Sequence, residues 1–362
     1  MPLEEHWGMQ GQYATVDVRE AVSFSMAHCT AKETAQILKK CALFNPGMTA
    51  IKNIVEAVGD VFNEHYESIQ DRVLSNEQTP PDAKAVAVSM DGANILMREK
   101  GSTQRRPGER PGKDFHDDTT QSCYKNAMVG SISYYTGKKK EPDGGPQRLH
   151  SLYTSAMPQY RAQEFKVRLE REVAPVIAAA DAKAMKKILV MDGSRGLWNY
   201  ALHNDLYQGF IPVVDFYHMT EHLSKAAEAI FGKQNPAARK WYVKWKGKML
   251  NKPGTVHALL RSIDYYSTTL SLSRRKALKA ERTFFSRNHA RMNYSCLRRQ
   301  NLPISSGPVE AACKSIVKSR MCRSGMRWSR SGGQKILDIR TFVKSNRWNA
   351  AWNCYKSYAK VA

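Results

Sequence analysis

The sequence predicts an α/β protein in which a mixed β-sheet core lies between a helical N-terminal region and a long all-α insertion. Three observations support this fold class. Apolar residues recur at helical spacing in residues 1–80 and again in residues 219–300. The chain between these regions holds short apolar or alternating segments bounded by turn residues, which indicate strands. Their order, β-β-β-α-β-α-β, predicts antiparallel strands followed by parallel strands that crossover helices connect.

The N-terminal region contains three segments with helical periodicity: REAVSFSMAH, AKETAQILKKCA and TAIKNIVEAVGDVFNEHY. Thr30 is a candidate N-cap for the second segment. Three short helices could form a helix-turn-helix DNA-binding module. The third segment carries Lys52 as its only Lys or Arg, however, so a structural helical lead-in is the favoured alternative.

Residues 81–218 are expected to contain the sheet and its crossover helices. AVAVSM indicates a first strand that ends at Asp91, and ANILMREKG indicates a second strand. NAMVGSISYYTG, ILVMD and FIPVVDFYH indicate the third, fourth and fifth strands, at residues 126–137, 188–192 and 210–218. Polar segments rich in Gly and Pro predict loops at 101–122 and 138–148. Three antiparallel strands followed by helices and parallel strands match an RNase H-like core.

Charge is the most informative bulk property. The chain has 56 Lys and Arg residues against 33 Asp and Glu residues, a formal net charge of +23. Such a charge predicts a polyanionic partner, because neutralised phosphates release counterions. A generally basic surface is the alternative.

Several function classes find no support in the sequence. The apolar runs are too short to span a membrane, and the N-terminal MPLEEHWGMQ lacks the apolar segment of a secretory signal. No Walker A motif occurs, and no GxGxxG in the context of a dinucleotide fold, so no nucleotide cofactor is expected. The seven cysteines include no CxxC pair and are expected to be reduced thiols of a cytoplasmic protein.

Two apolar strands are followed by the same dipeptide, Asp91-Gly92 and Asp192-Gly193. Alone, each is better explained as a turn. Together they predict a site, because the first and fourth strands of an RNase H-like sheet are central neighbours and would bring both carboxylates to one point. Two carboxylates that close require a cation between them, and oxygen ligands suit Mg²⁺ or Mn²⁺. The glycine after each carboxylate would let a phosphate backbone approach.

The third ligand is expected from a helix that follows the sheet. Glu310 lies in ISSGPVEAACKSIVKSR, where Ser306 or Gly307 can cap a helix. Lys314 and Lys318 follow Glu310 at spacings of four, so the three would share a face that suits metal and phosphate together. The alternatives are structural: Glu310 could complement the helix dipole, join a capping interaction or form a surface ion pair.

A basic stretch, residues 311–347, holds ten Lys and Arg residues and one acid, Asp338. It predicts a surface that binds phosphates, with a tryptophan that could stack on an unpaired base. A solvated basic face is the alternative. The residues predicted to contact DNA are Lys314, Lys318, Arg320, Arg323, Arg327 and Trp328.

Four segments carry a family resemblance: SMDGANILMRE, VMDGSRGLWNY, VVDFYHMTEHL and LPISSGPVEAACKSIVKSRMCRSGMRWSRSGGQKILDIR. They resemble motifs of ISKra-type bacterial insertion-sequence transposases, which are similar to Mutator-like DDE transposases. The resemblance covers roughly residues 80–345 and is most specific in the last segment. The chain differs from many of these relatives in having no Cys-rich, zinc-site-like motif in its N-terminal region.

The resemblance implies that Asp91, Asp192 and Glu310 are the DDE triad of a DNA transposase. It also implies that residues 219–300 are an all-helical insertion, for which the separation of 310 − 192 = 118 residues leaves room. The expected reaction is metal-dependent phosphodiester hydrolysis and strand transfer at transposon ends, with two Mg²⁺ or Mn²⁺ ions held by the triad.

The resemblance also implies a supporting role near the active site for Asp215 and His218. A satisfied polar pair at a strand end explains them as well. His218 begins HMTEH, which fits the HxxEH pattern of one class of zinc peptidase, with Glu221 and His222. A match of five residues in a long basic chain makes that the remote alternative.

These predictions divide the chain into four regions: a helical N-terminal region (1–80), the first part of an RNase H-like catalytic core (81–218), an all-helical insertion (219–300) and the completion of the core with basic C-terminal helices (301–362). The expected partners are transposon terminal repeats, target DNA and a second copy of the chain, since two DNA ends must be brought together. The resemblance places such a protein in the prokaryotic cytoplasm, at the nucleoid. An RNase H-like nuclease and an inactive, transposase-derived DNA-binding protein remain alternatives.

Overall fold

The computed structural model describes residues 14–41, 45–98, 124–139 and 145–359. Its sheet has five strands: Ala85–Leu96 (β1), Tyr124–Lys139 (β2), Pro146–Ala156 (β3), Lys186–Met191 (β4) and Ile211–Val214 (β5). Before the sheet lie Val16–His28 (α1), Ala31–Cys41 (α2), Met48–Glu64 (α3) and Tyr66–Ser75 (α4). Within it lie Gln163–Ala182 (α5) and Arg195–Leu202 (α6). The predicted loop at 101–122 falls outside the described residues.

The remaining described helices follow β5. Five of them precede Glu310: Phe216–Phe231 (α7), Pro236–Asn251 (α8), Thr255–Ser267 (α9), Leu272–Asn288 (α10) and Tyr294–Arg299 (α11). The next, α12, begins as Gly307–Ala312 and continues through a π-helical segment, Cys313–Lys318, to Ser319–Met321. The last two are Arg330–Lys344 (α13) and Trp348–Ala359 (α14). No helix in the described ranges is long and apolar enough to cross a membrane.

The strand order is β3-β2-β1-β4-β5. β1 pairs antiparallel with β2, and β2 pairs antiparallel with β3. β4 pairs parallel with β1, and β5 pairs parallel with β4, with α5 and α6 in the crossover connections. This mixed sheet, with a helical region before it and an all-helical described segment after β5, confirms the predicted fold class.

Two strand predictions are wrong in detail. The first and second predicted strands are one strand, because β2 runs alongside the whole of β1 and pairs Asp91 with Val129 and Gly92 with Met128. The Asp91-Gly92 dipeptide is therefore extended backbone in mid-strand and not a turn. The third strand of the sheet, β3, begins at Pro146, inside the segment 138–148 that the sequence predicts as a loop.

The polar character of β3 explains why the sequence pattern conceals it. Ser151, Thr154 and Ser155 are buried, as apolar strand residues usually are. Ser155 exchanges a 2.7 Å hydrogen bond with Thr341 of α13, and the Tyr153 N–H donates to the Ser345 hydroxyl (3.0 Å). These partners come from the far end of the chain, so the strand is stabilised by contacts that local periodicity does not reveal.

The helices after β5 pack through an apolar interior that is continuous with the sheet core. Trp241 and Trp245 of α8 are buried, whereas Lys240 and Lys244 are exposed. The insertion therefore has its own apolar faces and extends the core of the sheet.

The N-terminal helices share a second core with the two C-terminal helices. Val58 and Phe62 of α3 lie in one apolar cluster with Phe342 of α13 and Tyr355 of α14. The Thr30 N-cap is confirmed: its hydroxyl accepts from the Glu33 N–H (3.3 Å), and the Glu33 carboxylate accepts from the Thr30 N–H (2.7 Å). A DNA-binding role for this region stays a prediction.

A buried ionic network joins α5 to the C-terminal helices. Arg168 pairs with Asp338 of α13 at 2.5 Å and with Glu164 at 2.6 Å. Arg347 pairs with Glu172 of α5 at 2.8 Å. Arg168, Asp338, Glu172 and Arg347 are all nearly inaccessible to water. Part of the basic stretch is thus committed to internal structure, because a buried charge requires a partner of opposite sign.

We expect Arg168→Met to lower the free energy of unfolding by about 3–5 kcal/mol, because it leaves the buried Asp338 carboxylate without its charged partner. Arg171→Met is the matched control on the same helix. Arg171 pairs with the exposed carboxylates of Glu67 and Asp71, so its loss should cost about 1 kcal/mol or less. Urea denaturation measures both values, and equal losses would contradict this account of the network.

Candidate active site

The sheet brings Asp91 and Asp192 to the same level on neighbouring strands. β1 and β4 are paired in parallel at Val88 and Leu189. Asp91 lies three residues after Val88 within β1 (88 + 3 = 91), and Asp192 lies three residues after Leu189 (189 + 3 = 192), one residue beyond the end of β4. The juxtaposition expected from the strand order is present.

The two aspartates line one cleft of about 1280 Å³. Gly92, Asn94 and Asn126 line it from β1 and β2. The turn before α5, the start of α5, one side of α6 and the segment 203–205 after it form most of the rest of its wall. The cleft is larger than the roughly 300–1000 Å³ of most small-molecule sites, so it has room for a polymer strand.

The environment of Asp91 disfavours its ionised form. Burial raises the pKa of this carboxyl above its usual value, and the nearby Asp192 raises the pKa further. Hydrogen bonds lower the pKa of Asp91. The Gly92 N–H donates to the carboxylate at 2.7 Å, and the Cys313 thiol also hydrogen-bonds to this carboxylate. Lys318 contributes a smaller lowering of the same pKa. Asp91 is therefore a semi-buried acid with an acidic neighbour, which suits a cation ligand.

Asp192 is held by the start of α6. Its carboxylate accepts from the Ser194 N–H at 2.8 Å, and its carbonyl oxygen accepts from the Trp198 indole at 2.6 Å. Gly193 is closely covered, since a Cβ there would lie 2.5 Å from the ring of Phe284 in α10. The expectation that Gly193 leaves room for a phosphate is thus wrong, because the insertion occupies that space.

Glu310 lies in the first turn of α12, as predicted, with Ser306 at the N-cap. Glu310 is exposed to solvent, yet partial desolvation raises its pKa, and the carboxylates of Asp215, Asp91 and Glu221 raise it further. The Ser306 hydroxyl hydrogen-bonds to Glu310 at 3.4 Å and partly offsets this effect. Glu310 is thus an electrostatic neighbour of Asp91.

Asp215 is fully buried and connects β5 to the beginning of α12. One carboxylate oxygen caps α7 by accepting from the His218 N–H at 2.7 Å. The other accepts from the N–H (2.6 Å) and the hydroxyl (3.0 Å) of Ser306. Ser306 also hydrogen-bonds to Glu310, so this serine links Asp215 to Glu310. β5 ends at Val214, so the predicted strand to residue 218 is too long.

His218 and His222 lie together on α7, with 3.3 Å between their Nε2 atoms. His222 Nδ1 lies 2.6 Å from the Glu281 carboxylate, and its ring stacks on Phe284 at 3.5 Å. A Cβ added to Gly193 would lie 3.5 Å from His218 Nε2, so His218 lies next to this glycine. The histidine pair therefore joins the insertion to the Asp192 turn, while Glu221 of the HxxEH pattern is exposed.

The π-helical segment of α12 changes the expected row of lysines. Cys313–Lys318 has i→i+5 bonding, which adds a residue to the turn and rotates the side chains that follow. Glu310, Lys314 and Lys318 therefore do not keep the common face of a regular α-helix. Lys314 and Lys318 are exposed, and Lys318 lies close enough to Asp91 to influence its pKa.

Three of the residues predicted to contact DNA form contacts within the protein, and one of them, Arg320, is buried. Arg320 is buried, donates to the Met26 carbonyl at 3.0 Å and lies over the ring of Trp328. Arg323 pairs with Glu33 at 2.5 Å. Trp328 is half-buried and donates to the Met321 carbonyl at 2.9 Å. The prediction that Arg320 contacts DNA is wrong, because its guanidinium is buried and hydrogen-bonded to a main-chain carbonyl and is therefore not available to a phosphate.

The rest of the predicted contacts are accessible. Lys314, Lys318 and Arg327 are exposed, and Arg327 lines a second cavity of about 680 Å³ near α1 and α3. In the basic stretch, Lys335 and Arg340 are buried like Arg320. Fewer Lys and Arg side chains of residues 311–347 are therefore exposed than the sequence predicts.

Within residues 14–41, 45–98, 124–139 and 145–359, no three His, Cys, Asp or Glu side chains are grouped so that they could hold a metal ion. The triad is thus coupled in pairs, Asp91 with Asp192 and Asp91 with Glu310. The chemistry of these donors nevertheless fits a divalent cation. All three are carboxylates, and a cation would relieve the repulsion that raises the pKa of Asp91 and of Glu310.

Sequence reasoning missed several residues of the cleft. Cys313 bonds to Asp91, and Arg161, Lys166 and Tyr200 line the cleft wall. Arg161 and Lys166 lie outside the four segments that carry the family resemblance, whereas Tyr200 and Cys313 lie inside two of them without a predicted role. Only the folded arrangement of α5, α6 and α12 brings them to the acids.

The chain matches no family model and no curated protein. Among solved structures, the Drosophila P element transposase strand transfer complex is similar to it over 97% of this chain and 82% of that chain, at 13% identity and a TM-score of 0.30. A similarity at this level carries no argument about activity or the roles of residues.

The raised pKa values of Asp91 and Glu310 predict that ionising these carboxyls lowers the free energy of unfolding of the metal-free protein. A carboxyl whose pKa is higher in the folded than in the unfolded state favours folding while protonated. Its contribution is lost as the pH rises from about 4 through the raised pKa. Asp91→Asn and Glu310→Gln should therefore raise the unfolding temperature at pH 7 in the presence of a chelator.

Thermal unfolding at pH 7 and pH 3 measures this effect. At pH 3 the carboxyls are protonated in the wild-type protein also, so the advantage of the variants should disappear. Asp82→Asn, at an exposed aspartate outside the cleft, is the control and should change little. An unfolding temperature of Asp91→Asn below that of the wild type at pH 7 would contradict the repulsion described above.

We expect Asp215→Ala to lower the free energy of unfolding by about 3 kcal/mol, because it leaves buried N–H donors of His218 and Ser306 without an acceptor. Ser306→Ala removes only the hydroxyl contacts and should cost about 1 kcal/mol. Urea denaturation distinguishes the two. Equal losses of unfolding free energy in the two variants would contradict the expected contribution of the two N–H hydrogen bonds to Asp215.

Proposed function

We propose that this chain is a DDE-type DNA transposase, which hydrolyses a phosphodiester bond at a transposon end and joins the freed 3′-hydroxyl to target DNA. One observation carries the proposal: Asp91 and Asp192 share a polymer-sized cleft, and Glu310 is electrostatically coupled to Asp91. The motif resemblance and the net charge of +23 support the same conclusion.

Asp91, Asp192 and Glu310 would hold two Mg²⁺ or Mn²⁺ ions. When bound, such ions lower the pKa of an attacking water and stabilise charge on the leaving oxygen. Glu310, which stands in the first turn of α12, would complete the ligand set as it moves towards the two aspartates.

The other residues of the site would orient the acids and the DNA. The Gly92 and Ser194 N–H groups fix the carboxylates of Asp91 and Asp192. Cys313 bonds to Asp91 from α12 and so ties the helix of the third acid to the first. Lys314, Lys318 and Arg327 would bind the phosphate backbone from the exposed side of the C-terminal region.

In this reaction the oxygen of water, or of the 3′-hydroxyl, forms a bond to phosphorus while the bond to the leaving 3′-oxygen breaks. The cleft would align these oxygens, and alignment together with charge neutralisation accounts for most of the catalysis in such sites. Joining requires two DNA ends in one complex, so we expect a dimer or higher oligomer when DNA is bound.

We expect Asp91→Asn, Asp192→Asn and Glu310→Gln each to reduce Mg²⁺-dependent nicking of a DNA duplex by about 100-fold or more, because each removes a charged metal ligand. Asp181→Asn is the control: this exposed aspartate pairs with Lys187 away from the cleft, and its variant should nick at the wild-type rate. Gel analysis of a labelled duplex gives the rates. Nicking that survives all three substitutions would refute the proposed triad.

A strand-transfer assay separates joining from cutting. A pre-nicked end with a free 3′-hydroxyl is incubated with supercoiled target DNA, and joined products are expected with the wild-type chain and Mg²⁺. Cutting without joining would identify an RNase H-like nuclease instead. A chain that binds DNA but neither cuts nor joins it, with Asp91→Asn unchanged from wild type, would be an inactive DNA-binding protein.

A further inference from the structure

We propose that Arg161 and Lys166 bind the phosphate backbone of the DNA strand that enters the cleft of Asp91 and Asp192. The inference rests on the proposed function and adds a binding surface to it. Both residues precede the basic stretch of residues 311–347 by more than a hundred positions, so the sequence does not associate them with it. They line the same 1280 Å³ cleft as the two acids.

The backbone at Arg161 is held in an unusual conformation. Arg161 and the next residue, Ala162, have φ angles of 50° and 52°, in the left-handed region that non-glycine residues rarely adopt. Strain of this kind persists only where surrounding contacts enforce it, and it occurs often in ligand-binding segments. Here it turns the chain from β3 into α5 and leaves the Arg161 side chain exposed at the edge of the cleft.

Reciprocal hydrogen bonds enforce the turn. The side-chain oxygen of Gln159 accepts from the Glu164 N–H at 3.0 Å, and its amide donates to the Glu164 carboxylate. Glu164 pairs in turn with the buried Arg168 at 2.6 Å. The turn that carries Arg161 is therefore anchored to the ionic network of the core, and Arg161 itself takes no part in that anchoring.

Both cations rest on aromatic rings rather than on carboxylates. Arg161 lies over the Tyr160 ring at 5.0 Å, and Lys166 lies over the Tyr200 ring at 4.6 Å. Glu170, one helical turn after Lys166, accepts from the Tyr200 hydroxyl (2.6 Å) and the Asn204 amide (2.8 Å). In the described part of the chain neither Arg161 nor Lys166 forms an ion pair, so both charges are available to a phosphate.

The other groups in the cleft match a nucleic-acid strand. Asn94, Asn126 and Asn199 present amides along the wall, and amides donate well to phosphate oxygens. The two acids lie in the same cleft as the two cations. A phosphodiester held by Arg161 and Lys166 would thus enter beside the carboxylates, whereas a small anion would need only a fraction of the volume.

Binding is measured by fluorescence anisotropy with a fluorescein-labelled nicked DNA duplex, using chains that also carry Asp91→Asn so that no cleavage occurs. Arg161→Ala and Lys166→Ala should each weaken binding several-fold. Each should also reduce the slope of log K against log salt by about 1, because one phosphate contact is lost. Arg161→Lys keeps the charge and should restore the slope.

Arg148→Ala is the matched control. Arg148 is an exposed arginine that lines a separate cavity of about 530 Å³, together with Arg298 and Tyr217. It should leave the affinity and the salt slope unchanged. Circular dichroism of each variant checks that it is folded.

Two results would overturn the inference: wild-type affinity and slope in Arg161→Ala,Lys166→Ala, or a loss in Arg148→Ala instead. Equal competition by a mononucleotide would also overturn it, because a strand site requires several linked phosphates. These outcomes are independent of catalysis. A wild-type chain that never nicks DNA refutes the proposed function, whereas normal binding by the double variant refutes only this surface.

Discussion

The buried carboxylate of Asp215 joins three parts of the chain that are distant in sequence. It ends β5, caps α7 through the His218 N–H and holds the loop before α12 through the N–H and hydroxyl of Ser306. The backbone reinforces this junction, since the Phe216 N–H donates to the Ile304 carbonyl at 3.0 Å. A fully buried carboxylate is stable only with such a set of donors, so the geometry around it is closely determined.

This junction explains how a long insertion can separate Asp192 from Glu310 in sequence while the start of α12 stays next to β5. The insertion leaves the sheet at Asp215, and near its end the Tyr294 hydroxyl donates to the Val214 carbonyl at 2.9 Å. Both ends of the insertion therefore meet at the last residues of β5. Asp192 and Glu310 are separated by 118 residues in sequence, but the fold brings the start of α12 back to the end of β5.

The insertion also contributes to the site itself. Phe284 covers Gly193 and stacks on His222, whose Nδ1 lies beside Glu281. An apolar wall behind the Asp192 turn reduces access of water from that side and lowers the local dielectric constant. Desolvation raises the pKa of Asp91 and of Glu310, which is the physical reason why these two proposed metal ligands oppose the stability of the metal-free protein.

Local pattern was enough to predict the fold class, the N-terminal helices and the Thr30 cap. These features depend on apolar periodicity and on contacts within a few residues. The same reasoning predicted that Asp91 and Asp192 lie close together, because the two strands are adjacent and parallel, although β1 continues past Asp91 to Leu96. It also placed Glu310 in a first helical turn.

Tertiary structure alone decided the rest, since the partners come from distant parts of the chain. β3 buries serine and threonine against α13, so its polar sequence conceals a strand. Arg320 looks like a phosphate contact in sequence, yet folding encloses it and directs it to the Met26 carbonyl. Arg161 carries no motif at all and reaches the cleft only because the anchored left-handed turn before α5 places it there. Sequence therefore determined which acids to consider, whereas burial and long-range contacts determined which basic residues remain free to meet a substrate.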